Sequence, residues 1–284
     1  MLLVLAAIWG ASFMFIKIGL RELDPGALVF LRVGIATLVL VPIACVTLGG
    51  RVTAAALRGS ARPLLVVATM NSVVPFLLLA WAEQRIDSGL AAVLQACAPL
   101  FTALLALQFV RTERVRGLRL AGLGIGFVGV ALIVGVQPQG DLLAALAVVG
   151  CGLAYAIAGL YAHRLADVPT VVTSIGTMGF AALLTAPFAV PRLPDHVPGW
   201  KVTGSILALA IGGSAFAYLL YFGLIAGAGM SRAILVTYLV PALALGYGVL
   251  LLGEPLSVSA LVGLALVLGG VALGTGTVRL ASSK

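Results

Sequence analysis

The chain has 284 residues, 62% of them hydrophobic and only 9% charged, with a formal net charge of +8. A soluble domain carries about 25% charged residues, and no water-soluble fold of this length could hide so much apolar surface, so the solvent is lipid. The positive excess would suit a nucleic acid, but its distribution along the chain, set out below, accounts for it without a polyanion partner.

Runs of about 20 apolar residues are candidate spanning helices. Charge, Pro and Gly punctuate the chain into ten such runs, at roughly 2–20, 26–48, 63–82, 89–110, 118–136, 142–162, 170–190, 202–226, 231–252 and 257–277. The longest connections, 49–62 and 191–201, leave no room for a soluble domain. The first run lacks a basic leader and a small-residue cleavage site, so it reads as a helix and not as a removed segment. It holds Trp9 at depth, suited to stacking on an aromatic or apolar substrate, and Lys17 near its outer end, placed to snorkel.

The second run carries Arg32 about two turns in. A charge near the membrane centre costs at least about 2.5 kcal/mol. It should therefore face a cavity, where it would suit a carboxylate bidentately, or reach the outer surface, or contact Glu22 or Asp24. The third run contains "NSVVP", with Asn71, Ser72 and Pro75, and places Trp81 at the outer interface. The fourth contains "AVLQACAPLFTALL", in which Pro99 frees the carbonyl of Gln95 four residues back. An unsatisfied polar group in hydrocarbon costs several kcal/mol, so Gln95 and Pro99 mark either a bend lining a cavity or a kink that shapes packing.

The fifth run is glycine-rich ("GLGIG"), and the sixth offers Tyr155 for stacking. The eighth contains "GSAFAYLLY", with Ser214, Tyr218 and Tyr221. The ninth repeats the polar–proline pattern as Thr237 and Pro241, with Tyr238 beside them. The tenth is glycine-rich again ("GGVALG"), and its small-xxx-small pairs and those of the fifth let helices approach closely. These two runs read as scaffold, and they leave a homo-oligomer open. Cys45, Cys97 and Cys151 lie in apolar runs without paired spacing and read as packing residues.

The two halves repeat. Pro99 matches Pro241 and Ser72 matches Ser214 at an offset of 142, while Pro25 matches Pro169 and Pro42 matches Pro187 at offsets of 144 and 145. Five spans per half is an odd number, so the second half enters the membrane in the opposite sense. The expected fold is an all-α polytopic membrane protein, ten transmembrane helices as two inverted five-helix repeats, residues 1–140 and 141–284. Inverted repeats mark secondary transporters with a midplane site where the repeats meet. With the N-terminus inside, inner segments hold eleven Lys or Arg and outer loops four, the positive-inside bias. Both termini are then expected in the cytoplasm.

An intramembrane enzyme is disfavoured. The two histidines, His163 and His196, lie at span ends or in a loop, and all nine acids lie at or near loops or interfaces. No metal-ligand cluster, Walker loop or dinucleotide fingerprint occurs, so neither a metal nor a cofactor is expected. With no buried carboxylate to relay protons, the sequence leaves uniport, exchange and proton antiport open.

The stretches "AAIWGASFMFIKIGL", "FLRVGIATLVLVP" and "AEQRIDSGLAAVLQACAPLFTALLALQFVRTERVRGLRLAGLGIGFVGVALIV" resemble the first half of the EamA family, in the drug/metabolite transporter superfamily. "VTYLVPALALGYGVLLLGEPLSVSALVGLALVLGGVAL" resembles its second half. The resemblance spans nearly the whole chain. It implies a bacterial inner-membrane carrier with a central cavity among helices 1–4 and 6–9, and it implies that Trp9, Lys17 and Arg32 match family positions. Many members export amino acids, and the YddG-type aromatic amino acid exporters are one such branch. The partners expected are a small-molecule substrate and the lipid bilayer, with a drug or lipid-linked sugar carrier as the alternative. The helix bends expected are Pro75, Pro99 and Pro241, and the substrate path is expected along Trp9, Arg32, Asn71, Ser72, Gln95, Tyr155, Ser214, Tyr218, Thr237 and Tyr238.

Overall fold

The computed structural model describes residues 1–109, 118–135, 141–228 and 236–274. Helices dominate, and no strand occurs among the described residues. In chain order they are α1 (Leu2–Gly19), α2 (Pro25–Leu48), α3 (Gly50–Gly59), α4 (Ala61–Ala68), α5 (Val74–Glu83), α6 (Ser88–Gln95), α7 (Ala98–Phe109), α8 (Leu118–Gly135), α9 (Leu142–Tyr161), α10 (Thr170–Ala189), α11 (Trp200–Leu207), α12 (Ala217–Ala228), α13 (Val236–Tyr247) and α14 (Val258–Gly274). Seven helical stretches are long and apolar enough to cross a bilayer, and Leu120–Gly135, Val236–Leu252 and Val258–Leu273 are shorter apolar helices. Outward-facing apolar side chains such as Val46 (86% exposed) and Leu250 (81%) would be costly in water and are satisfied by lipid.

Three helical stretches contain wide π turns, at Thr69–Val73 between α4 and α5, at Ala208–Phe216 between α11 and α12, and at Gly248–Leu252 after α13. Such turns leave a backbone group without its usual i−4 partner and often mark functional sites. In the first, Pro75 follows directly, within the opening turn of α5. The fourth expected span is broken outright: α6 ends at Gln95, α7 starts at Ala98, and Cys97 N–H bonds to Leu94 O at 3.2 Å in a tightened turn. Pro99, which has no N–H to give to Gln95 O, sits just past that break. Pro241, by contrast, lies inside α13, which runs unbroken around it.

The connection 49–62 is largely helical. α3 turns away from α2 at Gly49, whose φ of +84° is readily reached only without a Cβ. α3 displays exposed Arg51 and Arg58, with Arg62 at the start of α4. The acidic residues collect at helix N-termini on the opposite side, where the helix dipole favours them. Asp24 caps α2 through Gly26 N (2.8 Å), Asp141 caps α9 through Leu143 N (2.9 Å), and Glu22 accepts from Gly199 N, just before α11 (2.8 Å). Glu254, described below, does the same at the start of α6.

The glycine-rich helices α8 and α14 pack on each other. A Cβ placed on Gly129 would meet Leu266 Cβ at 2.7 Å and Val267 N at 3.0 Å, so the close approach depends on the missing side chain. One continuous apolar core, including Leu28, Leu40, Leu94, Leu100, Met178 and Leu209, joins α2, α6, α7, α10 and the π turn before α12.

Candidate functional site

The polar residues of the expected path converge on the π turns. Arg32, on α2 and 5% exposed, donates from Nε to Ser214 Oγ at 2.9 Å across the molecule. Its guanidinium lies 3.9 Å from the ring centroid of Phe76, and such cation–π stacking is worth more where water is excluded. Neither terminal nitrogen of Arg32 has a hydrogen-bond partner among the described residues. Neither Glu22 nor Asp24 pairs with it; those two carboxylates cap helices instead.

Asn71, in the π turn before α5, donates to the Tyr218 hydroxyl of α12 at 2.6 Å. Fully buried Ser72 lies close to the same phenol but outside hydrogen-bond geometry. Tyr155, from α9, is within electrostatic range of both Arg32 and Tyr218. Trp9, from α1, meets Tyr218 edge-on at 6.4 Å between centroids and Tyr221 at 5.4 Å, and its indole N–H reaches Gly213 O at 3.3 Å. Gly213 keeps this spot open: a Cβ there would lie 2.9 Å from Ser12 Oγ and touch Arg32 Nη2 at 3.8 Å. Trp9, Arg32, Asn71, Ser72, Tyr155, Ser214 and Tyr218 thus form one cluster, contributed by α1, α2, α9, α12 and two π turns.

Gln95, Thr237 and Tyr238 complete the expected path, and Tyr238 packs on the same core as Tyr155 and Tyr218. Gln95 ends α6, and its buried side-chain oxygen has no hydrogen-bond partner among the described residues. Gly152 of α9 backs the same break, with Cys97 Sγ 2.7 Å from where its Cβ would be. Thr237 and Tyr238 lie half-buried in the first turn of α13, each with interaction partners of its own.

Next to the polar cluster, the ends of α5 and α6 are closed by charges. Lys17 does not snorkel. Its Nζ donates to Glu83 O at 2.6 Å and Ile86 O at 2.7 Å, the open carbonyls at the end of α5 that a cation suits. Glu254, from the segment between α13 and α14, accepts from Ser88 N (2.8 Å), Ser88 Oγ (2.9 Å) and Gly89 N (3.0 Å) at the start of α6. Asp87 holds the local capping position yet makes no cap bond, because Glu254 already takes those donors. Partial burial lifts the Asp87 carboxyl above its ordinary range, the Glu254 charge adds to this, and Lys17 opposes it.

Sequence reasoning missed Phe76, Gly213, Ser88 and Glu254. Glu254 lies at a span end, where a carboxylate reads as solvated, and apolar Phe76, four residues after Ser72, carries no polar signal. Glu83 is the larger surprise: it ends α5 in sequence, yet it is 0% exposed. Cys97 and Cys151 are buried and unpaired, while Cys45 is exposed. Among the described residues no group of His, Cys, Asp or Glu could hold a metal. A groove of about 440 Å³ between α2, α11 and the connection before α11 is lined by Leu31, Ile35, Leu193, His196 and Thr203 among others, and none of the clustered polar residues lines it.

Comparison with known proteins places this arrangement. The model of the EamA-like transporter family matches residues 1–135 and 140–275. A chain of Streptantibioticus cattleyicolor named "Probable terminal-alkyne amino-acid exporter" is 29% identical over 93% of this chain and 89% of its own. An "Uncharacterized transporter" of Archaeoglobus fulgidus is 28% identical over 93% of both chains. The Escherichia coli "Uncharacterized inner membrane transporter YedA" is 26% identical over 90% of this chain and 83% of its own. One solved crystal structure superposes with a TM-score of 0.71 over 99% of this chain and 97% of its own, at 21% identity, which shows the fold alone.

Proposed function

The chain belongs to the EamA-like transporter family and is a membrane transporter, and we propose that it carries amino acids out of a bacterial cell across the inner membrane. The observation that carries this reading is Arg32: a guanidinium 5% exposed, held by Ser214 and Phe76, with two terminal nitrogens unclaimed among the described residues. That is the fork a carboxylate takes bidentately. Trp9, Tyr155 and Tyr218 supply apolar and aromatic surface around it for a side chain. The amino-acid exporter among the relatives supports the same cargo.

In this reading ten helices form two inverted five-helix repeats, 1–140 and 141–284. The two separate family matches, 1–135 and 140–275, support it, as do the π turns at the matching positions Ser72 and Ser214. Substrate is held where residues of both halves meet, and rocking of the halves opens the site to each side in turn. The break at Gln95–Ala98 and the π turn before Pro75 are the bend points. The bias of Lys and Arg toward the inner segments supports cytoplasmic termini.

The test is uptake of a panel of labelled amino acids by liposomes holding the purified protein. Saturable uptake of at least one of them, unchanged on recovery, is expected. Chemical conversion of the substrate would favour an enzyme. Movement of lipid-linked sugars or drugs, with no amino acid moved, would replace the cargo.

A further inference from the structure

A carboxylate in the membrane is expensive and marks ion or proton pathways. Glu83 is 0% exposed, and neither of its side-chain oxygens has a hydrogen-bond partner among the described residues. Lys17 gives two of its three N–H donors to the backbone carbonyls of Glu83 and Ile86, and none is bonded to the carboxyl. The charged and titratable groups that face Glu83 are Lys17 from α1, Arg32 from α2, Cys151 from α9 and Glu254 from the segment before α14; α6 turns Ser88 and its opening N–H groups to Glu254. No donor among the described residues is bonded to this carboxyl, and an ionised carboxylate buried without such a partner would cost several kcal/mol.

Two further facts give the site a role. Glu83 lies beside the closure that Lys17 and Glu254 make at the ends of α5 and α6, and it is within electrostatic range of Arg32, the anchor of the polar cluster. A change in the closure that admits water would therefore wet Glu83 and the cluster together. We propose that Glu83 is the proton-binding site of this carrier, loaded when the closure opens and emptied on the other side, so that one proton moves inward for each substrate exported. No covalent step is involved, and the proton taken up from one side is returned to the other. The proposal rests on the transport reading above and adds its driving ion.

The test uses purified full-length protein in three measurements. Infrared titration of the protein alone should show, in the wild-type minus Glu83→Gln difference, a protonated-carboxyl component that disappears as pH rises and that Asp87→Asn retains. In liposomes made acid inside, with the membrane potential clamped, a gradient of one pH unit should raise wild-type accumulation of the best panel amino acid about tenfold. The ratio of accumulation with and without the gradient should fall to one in Glu83→Gln, and it should survive in Asp87→Asn. In weakly buffered detergent solution the wild type should exchange about one proton per molecule when that amino acid is added, a readout that needs no variant. The proposal is overturned if the gradient has no effect on the wild type, if Glu83→Gln keeps the tenfold ratio, or if the wild-type minus Glu83→Gln difference shows no titrating carboxyl component. A band assigned to Glu83 with no amino acid transported would sink the cargo and leave the proton site standing.

Discussion

Replacing Glu254 by alanine removes three hydrogen bonds at once and leaves Ser88 N, Gly89 N and Ser88 Oγ without their acceptor. Loss of a helix cap costs about 1 kcal/mol. Loss of a carboxylate from a helix N-terminus adds about 0.3–1 kcal/mol. A bond to a charged group is worth about 1.5–3 kcal/mol alone, but these bonds share one carboxylate and do not add. About 2 kcal/mol is a sound working figure, and it corresponds to roughly a thirtyfold rise in the population with the α5–α6 end open. Ile86 is buried at that end, 4% exposed, so Ile86→Cys in a Cys45→Ser background reports the opening. Its rate of modification by a maleimide in detergent should rise roughly thirtyfold when Glu254→Ala is added. Glu254→Gln, which keeps an acceptor but loses the charge, should fall between. An unchanged rate would refute the idea that Glu254 holds the closure.

Lys17→Met keeps the apolar stem and strips both bonds to Glu83 O and Ile86 O; thermal unfolding should show a loss of about 2 kcal/mol. Gly129→Val forces a side chain against Leu266 and the backbone of Val267 and should destabilise the α8–α14 pair by about 1–3 kcal/mol, read as a lower unfolding temperature. Burial raises Asp87 above its unfolded value, so its ionisation opposes the folded state. That penalty is absent below the unfolded pKa and grows as pH rises through the folded one. Asp87→Asn should therefore unfold at a higher temperature than wild type near neutral pH and at the same temperature in acid.

Sequence pattern carried the all-helical class because lipid allows few solutions: apolar runs must be helices, and their polar interruptions must be satisfied within the protein. Arg32, Ser214, Asn71 and Tyr218 could each be picked out as polar at depth. Their pairing could not, since Arg32 and Ser214 lie 182 positions apart and the register between α2 and the α11–α12 stretch is set by apolar packing. The Lys17 expectation missed for a local reason: the end of α5 turns two carbonyls toward it, nearer than the headgroups. Glu83 was hidden by its position at a span end, where sequence implies exposure, while the folded ends of α1 and α6 enclose it. At Gln95–Pro99 the missing N–H was legible, and the resulting break falls at Ala96–Cys97; at Pro241 the same chemistry leaves α13 continuous, so the surrounding packing decides which proline interrupts a helix.

The central claim is that Arg32 receives the carboxylate of the cargo. The direct measurement is uptake into liposomes of the best panel amino acid by wild type, Arg32→Lys and Arg32→Gln, with the amide of that amino acid as competitor. The account predicts that Arg32→Gln abolishes saturable uptake, that Arg32→Lys raises KM tenfold or more because a point charge replaces a bidentate fork, and that the amide competes poorly with the wild type. Wild-type KM in Arg32→Gln, or an amide that competes as well as the free acid, would contradict it.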